Sequence, residues 1–156
     1  HSLFISAPKQ QLLRTFMLCG PPGTSKTYSF ESVARALNLC IIVVKPSQII
    51  SKWAGESGKV LTSILQLANT NQPCMLLLDE CDMLLGARSD QSGGSDSTSS
   101  IVNELLPHMQ GNNASQPGII IACCTNYPDR IESAVMSRLT TFHGWAPDAE
   151  MRRVVW

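Results

Sequence analysis

Eight consecutive residues, Gly20-Pro21-Pro22-Gly23-Thr24-Ser25-Lys26-Thr27, carry the first chemistry legible in the chain. A glycine-rich loop between an apolar run and a helix can turn its backbone N–H groups inward, and the helix N-terminus adds favourable charge for an anion. In that setting Lys26 reaches the β and γ phosphates of a nucleotide and the Thr27 hydroxyl ligates magnesium. Tyr28, directly after the loop, joins residues 20–27 as a nucleotide-contacting position. A glycine–proline turn with an incidental lysine would need neither the eight-residue spacing nor the strand-to-helix context. The pattern departs from G-x-x-x-x-G-K-[ST] at one place, where Ser25 stands in for the second required glycine. A Cβ there can crowd the loop, or the hydroxyl can add a local hydrogen bond.

The apolar run Met75-Leu76-Leu77-Leu78 ends in Asp79-Glu80 and supplies the second half of a site. A parallel strand emerging beside the phosphate loop aims one carboxylate, Asp79, at magnesium, and places Glu80 to polarise an attacking water as general base. An acidic pair at a strand end is commonly a solvated cap; its position after a phosphate loop is what gives it a catalytic reading. Asp82 offers to position the turn after the acidic pair, although a plain surface role is the commoner one for such a residue.

These residues need a scaffold, and the hydrophobic pattern provides one. Short apolar runs at 15–19, 40–44, 74–78 and 119–124 read as buried strands, and 140–143 as a fifth. Helical spacing places helices at 26–37 (Phe30, Val33, Ala34 and Leu37 inward, Glu31 and Arg35 outward), 57–67 (Val60, Leu61, Ile64 and Leu67 inward), 101–109 and 131–138, with another opening at Pro147. The Ser-, Gly- and Asp-rich stretch 88–100 reads as an exposed loop and 111–116 as a turn. Strands buried on both sides and alternating with helices imply an α/β, three-layer sandwich around a mostly parallel five-stranded sheet.

The chain has 156 residues, the size of one domain. Charged residues are only 15%, so part of its apolar surface is expected to be covered by neighbours or by further chain. Twelve basic residues balance twelve acidic ones, which leaves no overall electrostatic footprint for nucleic acid or an anionic membrane. Six cysteines, none in C-x-x-C spacing, lie mostly in apolar runs and read as reduced core residues of an intracellular protein, cytoplasmic or nuclear. His108 and His143 have no ligand partner at metal-site spacing. No apolar run is long enough to span a bilayer.

The two motifs together resemble the AAA+ ATPase family, over nearly all of the chain. The loop differs from the family's Gly-Pro-Pro-Gly-Thr-Gly-Lys-Thr only at Ser25. Residues 51–57, Ser-Lys-Trp-Ala-Gly-Glu-Ser, are similar to the first pore loop of its protein-remodelling branch, in which katanin, spastin and the endosomal-sorting disassembly ATPase carry very similar segments. The resemblance implies that Lys52, Trp53, Ala54 and Gly55 line a central channel and that Trp53 grips an extended polypeptide. It also implies ATP and Mg2+ as cofactors and a homo-oligomeric ring, a hexamer. Thr125-Asn126-Tyr127-Pro128-Asp129 resembles the family's sensor segment, which would make Asn126 a positioner of the water or γ-phosphate with Glu80. Residues 131–138 resemble the helix leading to the arginine finger, with Arg138 acting on a neighbouring subunit. The usual second arginine is missing from 139–142, and the basic residues that usually precede Glu104-Leu105-Leu106 are replaced by Ser99-Ser100-Ile101-Val102-Asn103. On this resemblance residues 1–156 form one AAA+ large nucleotide-binding subdomain, expected to be a fragment, with the helical lid and the N-terminal recruiting domain outside it. Two other activities are compatible with the same residues. One is an ATP-binding scaffold with weak or no hydrolysis, favoured by Ser25 and the missing arginine; the other is a nucleic-acid motor or loader of the same superfamily.

Overall fold

Alternating apolar runs and helices close into one parallel sheet in the computed structural model, which describes residues 14–50, 57–86, 95–109 and 118–146. The strands are β1 (Thr15–Cys19), β2 (Cys40–Val44), β3 (Cys74–Leu78), β4 (Ile119–Thr125) and β5 (Thr140–His143). Their order is β2-β3-β4-β1-β5, and all four pairings are parallel. β3 is buried at every position because both its neighbours and both its faces are covered. Each of its Leu and Met side chains contributes about 1.5–3 kcal/mol by leaving water, so the strand that carries Asp79 is firmly anchored.

Side chains alternate across the sheet. Leu76 and Leu78 of β3 join Met17, Ile121 and Cys123 in the larger core, beneath α3 (Ser57–Thr70) and α4 (Ser95–Met109). Met75 and Leu77 join Ala122 and Cys124 in a smaller core beneath α1 (Lys26–Ala36). The result is the three-layer sandwich that the pattern implies. Two short helices, α2 (Pro46–Ile49) and α5 (Ser133–Met136), complete the described elements. None of the helices among the described residues is long and apolar enough to cross a membrane.

Four local expectations need correction. On α1, Ala34 is buried and Phe30 half-buried, but Val33 and Leu37 are exposed. The helix meets the sheet over a narrow strip centred on small Ala34, so the outer apolar positions stay clear of it. On α3 the inward stripe is Leu61, Leu65 and Ala68, with Val60 and Ile64 at its margin and Leu67 exposed. The loop reading of 88–100 fails at its end, because α4 begins at Ser95. A helix nucleated by an amphipathic segment extends cheaply by one hydrogen bond per residue, beyond the reach of the apolar pattern. The helix expected over 131–138 is only α5, preceded by a 3-10 turn at Pro128–Arg130. Between them Ile131 is extended and buried, bridging Gly86, while the Glu132 N–H donates to the Leu85 carbonyl at 2.9 Å. Burial of Ile131 overrides its helical spacing.

Five of the six cysteines are buried, and Cys40, which opens edge strand β2, is exposed; all six are free thiols. The expectations for Lys52, Trp53, Ala54 and Gly55, for the turn at 111–116 and for the helix after Pro147 lie outside the described residues.

Candidate nucleotide site

The C-terminal ends of β1, β4 and β3 lie side by side, the usual place for a ligand crevice in an open α/β sheet. β3 is not the direct neighbour of β1 in the sheet. β4 lies between them, so Asn126 falls between the phosphate loop and the acidic pair.

The loop starts at Gly20, whose N–H donates to the Thr125 carbonyl at 3.3 Å. A Cβ on Gly20 would lie 2.3 Å from the Gly144 carbonyl oxygen, so only glycine lets the chain leave β1 against the end of β5. Ser25 is the N-cap of α1 and has φ 56 and ψ 31, the left-handed region. This conformation explains why glycine is the usual residue, since an L side chain there costs roughly 1–2 kcal/mol. Its side chain makes no capping bond, whereas its carbonyl accepts from the Ser29 N–H and Oγ, both at 2.9 Å. The burden of Ser25 is therefore one of backbone conformation.

Lys26 is buried, and the loop wraps around its ammonium. Nζ donates to the carbonyls of Gly20 at 2.9 Å and Pro21 at 2.7 Å and to Thr24 Oγ1 at 3.3 Å. Thr24 Oγ1 itself donates to the Pro21 carbonyl at 2.9 Å. Gly20, Pro21 and Thr24 thus fix the lysine, while the following residues face the cavity.

Thr27 Oγ1 donates to Asp79 Oδ1 at 3.1 Å, joining two residues 52 positions apart. The same Oδ1 accepts the Glu80 N–H at 3.1 Å, and the Asp79 N–H donates to the Val44 carbonyl at 2.9 Å. Glu80 has φ 50 and ψ 43, a second left-handed residue, and caps a 3-10 turn at Cys81–Met83. Its exposed carboxylate faces an open cavity of about 400 Å³. Pro22, Gly23, Ser25, Lys26, Thr27 and Tyr28 line one side, Asp79 and Glu80 another, and Asn126 closes the middle. Asn126 Oδ1 is buried and has no hydrogen-bond partner among the described residues.

The thiols around the site are chemically quiet. Burial pushes Cys124 up to about 12, with the Asp79 charge adding to the rise and Lys26 and a Thr27 hydrogen bond opposing it. Cys81 is raised well above an ordinary thiol, first by its hydrogen bond with Cys123 and then by burial. Cys19, also raised by burial, lies 3.2 Å from His143 Nδ1. Neutral thiols are neither nucleophiles nor metal ligands, so these side chains act as packing.

Arg138 is not among the cavity residues. Its Nη1 donates to the Ala134 carbonyl in α5, the helix that ends two residues before it, so within this chain it is turned back onto α5. Of the two roles read for Asp82, the structure favours the turn over the plain surface, because the residue is half-buried and its Oδ1 accepts from buried Thr125 Oγ1 at 2.7 Å. The signal was in the spacing: a 3-10 turn after Glu80 swings the residue three past Asp79 back toward the neighbouring strand.

The donor set suits a magnesium nucleotide. Thr27 and Asp79 offer hard oxygen ligands already in mutual contact, the loop and helix N-terminus suit polyphosphate, and Asn126 leaves one buried acceptor unfilled.

Comparison with known proteins agrees with this geometry. Residues 16–144 match the family described as "ATPase family associated with various cellular activities (AAA)". The chain is 38% identical over 126 residues to mouse (Mus musculus) vacuolar protein sorting-associated protein 4B, covering 80% of this chain and 28% of the relative. It is 36% identical over 126 residues to human (Homo sapiens) vacuolar protein sorting-associated protein 4A, with the same coverage. Protein SUPPRESSOR OF K(+) TRANSPORT GROWTH DEFECT 1 of Arabidopsis thaliana is 33% identical over 130 residues, 83% of this chain and 30% of the relative. The chain therefore spans less than a third of the length of these relatives. A nucleotide loop and an acidic strand end built into one cavity, within a family match covering most of the sequence, make this chain a member of the AAA ATPase family, with an ATPase domain related to the vacuolar protein sorting-associated protein 4 group.

Proposed function

We propose that this chain is the ATP-hydrolysing core of a ring-forming ATPase that remodels proteins. The observation that carries the proposal is the Thr27–Asp79 hydrogen bond, with Glu80 and Asn126 on the same cavity. Thr27 Oγ1 and Asp79 would hold magnesium, which supplies neutralisation of charge on the transferring phosphoryl group. Residues 20–28 bind the nucleotide, and Lys26 shifts from its loop carbonyls to the β and γ phosphates. The Glu80 carboxylate accepts the proton of the attacking water while Asn126 orients that water through its unfilled amide oxygen. Arg138 stabilises developing charge from a neighbouring subunit, which its absence from this chain's own cavity supports.

The substrate is a polypeptide gripped in the pore by residues 52–55, with Trp53 as the wedge. The setting is inside the cell, in the cytoplasm or nucleus, and the ring is a homohexamer. The similarity to the vacuolar protein sorting-associated proteins supports this reading over a nucleic-acid motor.

The test is phosphate release by the full-length protein against its Glu80→Gln variant. Removing the general base is expected to lower turnover about 10²–10⁴-fold while ATP still binds. Wild-type protein that binds ATP but turns over no faster than Glu80→Gln would instead be an ATP-binding scaffold, the reading that strained Ser25 favours.

A further inference from the structure

Thr125, the last residue of β4, is 1% exposed and makes three hydrogen bonds, of which the one to Asp82 is required neither by the sheet nor by the turn that follows. Its carbonyl accepts the Gly20 N–H at the start of the phosphate loop, 3.3 Å away. Its hydroxyl donates to Asp82 Oδ1 at 2.7 Å, in the turn that follows Glu80. The same hydroxyl accepts the Tyr127 N–H at 2.9 Å, on the far side of Asn126. One buried residue therefore touches the phosphate loop, the turn carrying the general base and the backbone that carries Asn126.

We propose that Asp82 and Thr125 form a positioning pair that sets Glu80 and Asn126 against each other; this rests on the hydrolytic reading above. Asn126 lies between two pinned residues, Thr125 in the sheet and Tyr127 on its hydroxyl, so its amide has a fixed place in the cavity. Glu80 immediately precedes Cys81–Met83, the turn that Asp82 anchors. A carboxylate receiving a hydroxyl proton in a partly buried place makes one of the stronger hydrogen bonds available, and a shared hydroxyl couples its two partners. Holding β4 in the sheet does not need this hydroxyl, because Thr125 is already paired with Cys19 in the ladder. Loss of the hydroxyl leaves the backbone bond to Gly20 intact, so phosphate-loop geometry and nucleotide binding survive it. What changes is the distance between base and sensor, to which the reaction barrier is sensitive.

The experiment uses full-length protein and two readouts: steady-state hydrolysis, and the affinity for ADP with magnesium and aluminium fluoride relative to ADP with magnesium alone. Thr125→Val, isosteric but without the hydroxyl, is expected to lower kcat by about 10- to 100-fold while the KM for ATP moves little. The preference for the aluminium fluoride complex should fall in parallel, and this readout works even on a slow enzyme. Thr125→Ser restores both values, and Asp82→Asn, which keeps an acceptor oxygen, falls less than Asp82→Ala. The Thr125→Val/Asp82→Ala double variant is expected to be no worse than the more damaged single variant, as coupled residues require.

Unchanged kcat and preference in Thr125→Val, additive losses in the double variant, or failure of Thr125→Ser to restore function would each overturn the pair. Loss of ADP affinity in proportion to turnover would assign Thr125 to folding instead. If Thr125→Val does not fold, Thr125→Ser and Asp82→Asn decide by the same two readouts. Failure of the hydrolytic reading is distinct, because it shows as wild-type turnover no faster than Glu80→Gln.

Discussion

Ser25 and Glu80 are the two non-glycine residues of the cavity with left-handed backbones, at φ 56 and φ 50, and they differ in what holds them there. Glu80 sits inside a network. Its N–H donates to Asp79 Oδ1, its carbonyl accepts the Met83 N–H at 3.1 Å, and the turn beyond it is tied to β4 through Asp82. Ser25 is exposed, makes no capping bond with its side chain, and is held by the closure of the loop around Lys26. Each conformation costs roughly 1–2 kcal/mol relative to an ordinary backbone. At Glu80 that strain aims a carboxylate at the cavity, which is how strained residues persist at catalytic sites. At Ser25 it aims nothing that the structure records. Similar backbone angles thus turn a carboxylate toward the cavity within a hydrogen-bonded network at one tip and stand without a side-chain bond at the other.

Glycine substitutions at the two positions break this comparison most directly. Glu80→Gly removes the strain together with the carboxylate proposed as base, so turnover is expected to fall about 10²–10⁴-fold although the fold is no weaker. Phosphate release and thermal melting of the same preparation check it. A Glu80→Gly variant that kept its turnover would show that the network at this tip holds no catalytic group.

Ser25→Gly removes the same kind of strain without removing a functional group. The gain of roughly 1–2 kcal/mol is partly offset by about 0.5–1 kcal/mol of extra chain entropy in the unfolded state. The net gain of about 0–1.5 kcal/mol is expected to raise Tm by up to about 6 °C, at about 2–4 °C per kcal/mol for a domain this size. Turnover should hold or rise. A lower Tm would mean that the serine hydroxyl stabilises the loop, and the two tips would then be alike after all.

The same contrast shows what could be read before the structure. The strands were legible nearly residue for residue, because runs such as Met75 to Leu78 are buried on both faces and leave no ambiguity of period. Lys26, Thr27, Asp79 and Glu80 were legible from spacing and Asn126 from the resemblance of residues 125–129 to the family's sensor segment, and the structure brings the five to one cavity. Backbone angles at Ser25 and Glu80 were not, since residue type alone does not report φ at a non-glycine position. The partner of Asp82 was not legible, because Thr125 is 43 positions away and only the β3-β4 neighbourhood brings them together. Val33, Leu37 and Leu67 were misjudged for a related reason: helical period defines a stripe but not the rotation at which the helix docks.

The smallest effect comes from the thiol between the two tips. Cys124 feels Asp79, which raises its pKa, and Lys26 with the Thr27 hydroxyl, which lower it, while burial outweighs all three and pushes it up to about 12. The folded state therefore keeps this thiol protonated where the unfolded chain, with an ordinary value of 9.0, releases its proton. Stability from this group is fully present below pH 9 and is lost progressively as pH rises from there toward about 12, because the unfolded state alone gains from deprotonation. Cys124→Ala is expected to flatten part of the fall in Tm over that window relative to wild type, with the two curves parallel below it. Because Lys26 opposes the shift and Asp79 adds to it, the Cys124-dependent fall should run to higher pH in Lys26→Met and end at lower pH in Asp79→Asn. An end point unmoved in both backgrounds would mean that the thiol responds to burial alone and that the two tips do not meet electrostatically at β4.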